Sequence, residues 1–427
     1  MGNEKKLSPD QVMLAFFDEG SFTETDAYLG SGIDVAEAVT GYGTVDGVTV
    51  FAFAQNAAVS GGAMSKAQSK KITKLYNAAL KVGAPVVGFY DSVGGRLEQK
   101  YELLSAYGDI LRKSSRLSGV VPQISVVLGK CVGTSALIAC AADFVIMTKD
   151  AQLTLSTASC DGSADFNSKA GTAQFVTDTA EDAIIKAKAL LSYLPSNNLE
   201  SAPAFESAPA YASPDRLPKY IADEGSLLCV SGGVVDDVCT AFGRVDGITV
   251  GFVVTKGGDI TPDAVRIIKK HVRFCDAFSI PIITLVDAKD FVNLSDASAL
   301  TSAYADATTA KISVVSGTAF GAVYIALAGT ACCADVVYAL PDAVISPVTP
   351  KAAAYIMDAS IADLPYAEQD AAIDSYIKSN LSAEQAAHDG YVDDIVDTTA
   401  LRSKIISALN MLGSKRVATL PKKHTGR

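Results

Sequence analysis

Residues 43–50 read GTVDGVTV, and residues 243–250 read GRVDGITV, the same string with two substitutions. Asp-Gly between alternating β-branched residues is typical of a two-residue turn between antiparallel strands. Each string therefore predicts a β-hairpin, and we expect each hairpin to pair the first two strands of its sheet. A hairpin that recurs about 200 positions later also indicates an internal repeat.

The sequences that follow the two hairpins match in the same order. Each hairpin is followed by a Gly-Gly loop, an amphipathic helix and a buried strand, which ends at Asp91 in the first copy and at Asp287 in the second. Further on, ISVVLGKCVG at 124–133 matches ISVVSGTAFG at 312–321. Because these matches stay collinear, we interpret the chain as a tandem duplication.

Each copy alternates strands and helices, and its strands are too uniformly apolar for a sheet with one solvent-exposed face. The sequence thus predicts an α/β fold in two domains, 1–212 and 213–427. The boundary is expected in the Ala-, Ser- and Pro-rich stretch 196–218, a composition that suits a surface linker.

Composition narrows the classes of function. Of 427 residues 49% are hydrophobic and 19% charged, and the net charge of −11 argues against a nucleic-acid surface. No apolar run is long enough to span a membrane, and MGNEKKLSPD lacks the apolar core of a secretory signal, so we expect a cytoplasmic protein. The eight cysteines form no CxxC pair and have no histidine at zinc spacing, which predicts no metal site.

One pattern in each copy can carry chemistry. An apolar strand runs through G-x-x-x-G into a helix rich in small residues, with Gly133 in the first copy and Gly321 in the second. Such a turn aims free backbone N–H groups at one point and can stabilise an oxyanion. The small residues could equally serve tight helix–strand packing, and the pattern alone leaves both interpretations open.

Motifs that depend on side chains are absent. The sequence has no GxSxG, Walker or HExxH motif, and its three histidines, at 271, 388 and 424, are scattered. A chemistry that relies on backbone dipoles fits this scarcity of acids and bases.

Longer strings resemble a known family along almost the whole chain. Among them are DEGSFTETD at 18–26, GYGTVDGVTVFAFAQ at 41–55, LLSYLPSNN at 190–198 and VRFCDAFSIPIIT at 272–284. With them the chain resembles the carboxyltransferase (β) subunit of biotin-dependent acyl-CoA carboxylases, of the propionyl-CoA carboxylase type, and the matching component of acyl-CoA decarboxylases.

The resemblance implies two crotonase-like (ClpP/crotonase) ββα-superhelix domains, assembled as a homohexamer. It implies carboxyl transfer between a short acyl-CoA, bound by the N-terminal domain, and biotin, bound by the C-terminal domain. The biotin would sit on a separate carrier protein, and a biotin carboxylase or a decarboxylase subunit would complete the complex.

The resemblance also implies roles for residues. Gly133 and Thr134 would hold the thioester oxygen, and Ala322 and Val323, preceded by Gly321, the biotin oxygen. Basic residues near the first site could meet the phosphates of CoA or could be solvated charges: Lys66, Lys70, Lys71 and Arg96. The further ligand-binding residues are predicted to be Gly61, Gly62, Ser92, Gly94, Gly95, Arg96 and Phe320.

The segment VDAKDFVNLSDAS at 286–298 departs from the family pattern VDVPGFLPGxxQE and borders the implied biotin site. This departure keeps open a second interpretation, a divergent scaffold subunit without turnover. A third interpretation, a crotonase-type hydratase or hydrolase, needs a carboxylate base, for which Glu98 is the candidate.

Overall fold

The computed structural model describes residues 6–31, 34–156, 161–209, 212–213, 216–231 and 237–417. The chain forms two compact units, the first running to Pro203 and the second beginning at Ala204. The division falls inside the stretch 196–218, while the domain boundary at 212/213 stays a prediction.

The first unit is built on an eight-stranded sheet in the order β1-β4-β5-β6-β7-β8-β10, with β9 added beside β7. β1/β4 and β4/β5 are antiparallel and the later pairs are parallel. The strands are β1 (Thr23–Thr25), β2 (Gly30–Ser31), β3 (Asp34–Val35), β4 (Ala38–Val45), β5 (Val48–Gln55), β6 (Val86–Ser92), β7 (Gln123–Val132), β8 (Phe144–Thr148), β9 (Gln152–Thr154) and β10 (Phe175–Thr177).

Helices connect these strands and cover their faces. They are α1 (Pro9–Phe16), α2 (Lys66–Val82), α3 (Tyr101–Leu117), α4 (Thr134–Cys140), α5 (Ala164–Lys169) and α6 (Ala180–Leu191), with 3₁₀ turns at Ser60–Gly62 and Leu97–Gln99. In α2 the sequence sets both ends, because the Ser65 side chain caps the first turn and Gly83 ends the helix with φ 71°.

The second unit repeats the plan with the order β11-β12-β13-β14-β15-β16-β18, and β17 is added beside β15. Its strands are β11 (Leu228–Cys229), β12 (Val238–Val245), β13 (Ile248–Thr255), β14 (Ile282–Ala288), β15 (Lys311–Phe320), β16 (Val336–Ala339), β17 (Val344–Ser346) and β18 (Asp394–Ile395). Its helices are α7 (Leu217–Ile221), α8 (Pro262–Ala277), α9 (Leu294–Asp306), α10 (Gly321–Leu327), α11 (Pro350–Met357), α12 (Tyr366–Asn380), α13 (Ala383–His388) and α14 (Thr398–Leu412), with a 3₁₀ turn at Ala359–Asp363.

The quoted hairpins are β4–β5 and β12–β13. Asp46 and Gly47 both have positive φ, 49° and 78°, and Asp246 and Gly247 have 54° and 74°, as a two-residue turn of type I′ requires. The expectation that each hairpin pairs the first two strands of its sheet is wrong, because the short strands β1 and β11 precede and pair with them.

A second repeated motif caps these turns. The Asp18 carboxylate accepts a hydrogen bond from the Gly47 N–H at 2.9 Å, and Asp223 does the same for Gly247 at 2.8 Å. The Gly47 N–H leads the interactions that lower the pKa of Asp18. Both aspartates open a DEGS string, a repeat that confirms the duplication over a longer stretch.

Candidate functional site

The first turn lies where β7 passes into α4. Gly133 has φ 71° and ψ −144°, a backbone conformation that essentially only glycine adopts. Its N–H donates to the Thr154 carbonyl on β9 at 3.0 Å, so that donor is engaged. The N–H groups of Thr134 and Ser135 begin the helix and have no partner four residues back within it. The open donors of this turn are therefore at 134 and 135, whereas the resemblance implied 133 and 134.

The second turn, between β15 and α10, has the same construction. β17 pairs Phe320 with Ser346, as β9 pairs Val132 with Thr154. Gly321, next in the chain, has φ 42°, and a methyl group built on it would lie 2.9 Å from the Pro347 carbonyl oxygen. The pairing thus places Gly321 at the position equivalent to Gly133.

In this second turn, α10 begins at Gly321, so the N–H groups of Ala322 and Val323 fall in its first turn and have no carbonyl four residues back within the helix. Ala322 is exposed and Val323 is buried. Phe320, predicted to bind ligand, is the last residue of β15 and is largely buried.

A bulge precedes each turn. Along β6 and β7 the pairing steps from Tyr90 opposite Val127 to Ser92 opposite Cys131, so β7 carries two extra residues. β15 has the same bulge against β14. Bulges of this kind redirect a strand, and here they lie just before the glycine turns.

An aspartate fills each bulge. Asp91 accepts a hydrogen bond from the Lys130 N–H at 3.0 Å, and Asp287 accepts one from the Thr318 N–H at 2.8 Å. Each carboxylate accepts a hydrogen bond from a backbone N–H group that the bulge leaves without a partner on the neighbouring strand. The sequence aligns the two aspartates without indicating a role for them, and their common position after a buried strand is the signal that points to one.

Two glycine loops meet beside the first turn. The Met64 N–H donates to the Gly94 carbonyl at 2.8 Å, and the Arg96 N–H donates to the Met64 carbonyl at 2.9 Å. A methyl group built on Gly62 would lie 2.1 Å from the Asp91 carbonyl oxygen, and one on Gly94 would lie 3.7 Å from that of Val132. The structure thus gathers the following predicted residues near the turn: Gly61, Gly62, Ser92, Gly94, Gly95 and Arg96.

Arg96 has an internal partner that the sequence did not reveal. Its guanidinium forms an ion pair with Glu37, whose side chain is 1% exposed, and donates to the Ser60 hydroxyl at 2.8 Å. The Ser65 hydroxyl also donates to Glu37, at 2.6 Å. The charge of Arg96 is therefore neutralised within the first unit, where it ties the glycine loop to the sheet.

The nearby lysines differ in their surroundings. Lys66 pairs with Glu102 at 3.0 Å, and Lys70 is exposed. Lys71 is neither a solvated charge nor available to a phosphate, because its side chain is 3% exposed and lies 3.9 Å from Glu24. Burial lowers the pKa of Lys71, a shift that the nearby carboxylates oppose.

Tyr107 links α3 to this site. Its hydroxyl lies 3.4 Å from the Ser135 hydroxyl, and a methyl group built on Gly95 would approach it to 3.0 Å. Burial raises the pKa of Tyr107, which therefore acts as a neutral hydrogen-bonding group. Tyr107 sets the spacing between the glycine loop and the start of α4.

The segment 286–298 keeps the backbone pattern of its counterpart despite its altered sequence. The Ile260 N–H donates to the Asp290 carbonyl at 2.8 Å, and the Val292 N–H donates to the Ile260 carbonyl at 3.1 Å. These bonds repeat those that join Met64 to the first loop. Val292 occupies the position of Arg96, so the second unit has no arginine there.

A cavity of about 660 Å³ lies in the first unit at the carboxyl ends of β5, β6 and β8. Lys6 enters it and pairs with Asp91 at 2.5 Å. Three further carboxylates line it, those of Asp150, Asp178 and Glu181. This acidic lining disfavours the phosphates of CoA.

Two properties hold for the part of the chain that the structure describes. No helix there is long and apolar enough to cross a membrane. No group of three or more His, Cys, Asp or Glu side chains among those residues could hold a metal ion.

Known proteins share this architecture. The family model of the carboxyl transferase domain matches residues 13–427, and the chain belongs to this family. It is 33% identical to the methylmalonyl-CoA decarboxylase subunit alpha of Propionigenium modestum, over 98% of this chain and 92% of that one. It is 32% identical to the propionyl-CoA carboxylase carboxyltransferase subunit of Haloferax mediterranei, over 98% and 93%.

Among solved structures, a crystal structure of transcarboxylase 12S superimposes with a TM-score of 0.92 and 32% identity, covering 99% of this chain and 92% of that one. It is described as a hexamer assembly with hydrolysed methylmalonyl-coenzyme A bound. These findings confirm the family resemblance, the duplicated crotonase-like fold and the interpretation as a carboxyltransferase enzyme, which they favour over the scaffold and over the hydratase.

Proposed function

We propose that this carboxyltransferase moves a carboxyl group between a short acyl-CoA and biotin carried on a separate protein. The observation that carries the proposal is the pair of matched strand-to-helix turns, one in each unit, each with open backbone donors. Two chemically different carbonyl groups must be polarised in such a transfer, and a duplicated turn supplies one site for each.

The first turn serves the acyl-CoA. Exchange of a proton for a carboxyl group at the α-carbon passes through an enolate, in either direction of the reaction, and negative charge develops on the thioester oxygen. The N–H groups of Thr134 and Ser135 would donate to that oxygen, while Gly133 gives the turn its shape. Because these donors are fixed by the bulge and by the helix, they need little reorganisation as the charge develops.

The second turn serves the biotin. The ureido ring of biotin, when bound, supplies the activated carboxyl group and a base for the α-proton. The N–H groups of Ala322 and Val323 would donate to its carbonyl oxygen, with Phe320 and Gly321 shaping the approach. Gly61, Gly62, Ser92, Gly94 and Gly95 would let the acyl-CoA approach the backbone of the first unit.

The proposal also covers the partner proteins, the oligomeric state and the cellular location of this chain. A biotin carrier protein and a biotin carboxylase or decarboxylase subunit would complete the complex, and the chain would form a homohexamer in the cytoplasm. The hexamer of transcarboxylase 12S supports the assembly. Light scattering on the purified chain tests it, and a monomer at micromolar concentration would contradict it.

The test follows radioactive carboxyl transfer from methylmalonyl-CoA to a biotinylated carrier domain. Thr134→Pro removes one donor at the first position of a helix, where proline is tolerated. Loss of one oxyanion donor lowers kcat by about 10²–10³-fold. We expect a loss of this size in Thr134→Pro and near-normal transfer in Thr134→Ala, the matched control that keeps the N–H.

Equal rates in Thr134→Pro and Thr134→Ala would show that this donor plays no part. A second contrary outcome is that the unmodified, correctly assembled protein transfers no carboxyl group from any short acyl-CoA that is tested. This result would favour the scaffold interpretation over the proposed function.

A further inference from the structure

Two cysteines face each other on the first strands of the second unit. The sulfur atoms of Cys229 on β11 and Cys239 on β12 are 3.3 Å apart. The register places Cys229 opposite Ala241 and therefore on the same face of the sheet as Cys239. Cys229 is exposed and Cys239 is partly exposed, so solutes reach the pair.

The surroundings favour a thiolate at Cys229. The Ser231 hydroxyl lies 3.1 Å from its sulfur, and Lys256 lies close enough for an electrostatic effect. The hydrogen bond with the Cys239 thiol leads the interactions that lower the pKa of Cys229 to about 5, and the same contact raises the pKa of Cys239. Cys229 is also the more exposed of the two thiols, so an oxidant in solution meets Cys229 first.

The corresponding positions of the first unit carry no cysteine. The same registers align Cys229 with Glu24 and Cys239 with Val39. The two thiols are therefore not part of the repeated pattern, and they lie outside the turn at 321–323.

We propose that Cys229 and Cys239 are a peroxide-sensitive modification site, which a hydroperoxide oxidises to a reversible disulfide. The Cys229 thiolate attacks one oxygen of hydrogen peroxide, the O–O bond breaks, and the hydroxide that leaves takes a proton to become water. Cys229 is oxidised to a sulfenic acid. The Cys239 sulfur then attacks the Cys229 sulfur, the S–O bond breaks, and a second water leaves with the Cys239 proton.

In this scheme two thiols lose two electrons and two protons, and one peroxide becomes two waters. The sulfur atoms must close from 3.3 Å to about 2.05 Å. Cys239 lies two residues from the partner of Cys229, and β11 is a two-residue strand at the edge of the sheet, so closure of the bond moves a short segment. A thiol such as dithiothreitol reverses the bond.

The experiment treats the whole protein with a small excess of hydrogen peroxide, blocks free thiols with iodoacetamide and digests it with trypsin. Both cysteines fall in the tryptic peptide 220–244, so disulfide formation lowers its mass by two hydrogens and prevents alkylation. We expect this loss of alkylation, and its full recovery with dithiothreitol. Exposed Cys140, which serves as the internal reference, should remain alkylated at the same peroxide dose.

Variants separate the roles of the two thiols. Cys239→Ser should stop at a sulfenic acid that dimedone traps on Cys229, while Cys229→Ser should leave Cys239 reduced. Both variants should keep the basal rate of carboxyl transfer. At pH 6, Cys229 should react with iodoacetamide at least about tenfold faster than free glutathione, whose thiol is almost fully protonated there.

Two results would overturn the proposal. One is a peptide 220–244 that stays fully alkylated while Cys140 is oxidised. The other is equal peroxide reactivity of the 229 and 239 positions when each is tested alone. Circular dichroism of each serine variant verifies that the fold is retained.

Discussion

At the scale of single residues, the site depends on glycines that no larger residue can replace. The bulge before each turn brings an aspartate carboxylate against a glycine, and a methyl group built on Gly129 would lie 2.3 Å from the Asp91 Oδ1. Gly317 faces Asp287 in the same way, at 2.4 Å. The glycine and the aspartate therefore form one structural motif, which occurs in both units.

Gly129→Ala should consequently destabilise the first unit. The new methyl group displaces the Asp91 carboxylate from the Lys130 N–H, and overpacking of this kind costs about 1–3 kcal/mol. Urea unfolding followed by fluorescence measures the change. Gly108→Ala is the matched control, since Gly108 lies in α3 and a methyl group there meets nothing within 4 Å. The control should be neutral or more stable by up to about 1 kcal/mol, and equal losses in both variants would refute the account.

The ion pair of Arg96 and Glu37 gives a second prediction. Arg96→Met leaves the Glu37 carboxylate buried without its partner, which costs about 3–5 kcal/mol. The double variant Glu37→Leu/Arg96→Met should regain most of that stability, and thermal unfolding measures both. Because the guanidinium is already paired, the double variant should keep the KM for acyl-CoA. A KM raised tenfold or more in that variant would assign Arg96 to the phosphates of CoA instead.

At the scale of elements, α8 contains a buried titratable group. His271 lies in contact with Phe242, with ring centroids 5.0 Å apart, and burial lowers its pKa to about 4. The neutral ring is therefore a packing residue, and it does not act as a base in carboxyl transfer.

This shift makes the second unit sensitive to acid. The unfolded chain binds a proton at His271 near pH 6.5 and the folded chain only near pH 4, so stability falls as the pH drops through that window. The contribution of this group is about 3 kcal/mol. In His271→Gln the free energy of unfolding should change less between pH 7 and pH 4 than in the natural protein. Phe274→Leu, which alters packing on the same helix without removing a titratable group, is the control and should keep the natural slope. Parallel pH profiles for the natural protein and His271→Gln would contradict the assignment.

At the scale of the whole molecule, the duplication could be read from the sequence, because hairpin turns, glycine turns and buried strands are local patterns with fixed spacing. The turns at Gly133 and Gly321 were found in this way. Contacts between distant segments could not be read, such as Glu37 with Arg96 or Tyr107 with Ser135. That the open donors lie at 134 and 135, and not at 133, also depends on β9, since pairing with Thr154 engages the Gly133 N–H.

In the proposed function, each unit polarises a different carbonyl group. Ala322→Pro removes a donor from the second turn at an exposed position in the first turn of α10, as Thr134→Pro does in the first. Both variants should lose carboxyl transfer by about 10²-fold or more. Only Thr134→Pro should weaken the stabilisation of the acyl-CoA enolate.

The most direct measurement is therefore calorimetric binding of a CoA analogue in which a nitronate, the anion of a deprotonated nitroalkane, replaces the thioester enolate. Thr134→Pro should weaken this binding by about 100-fold, whereas Ala322→Pro should bind the analogue as the natural protein does. Equal weakening in both variants, or undiminished binding in Thr134→Pro, would contradict the division of labour between the two turns.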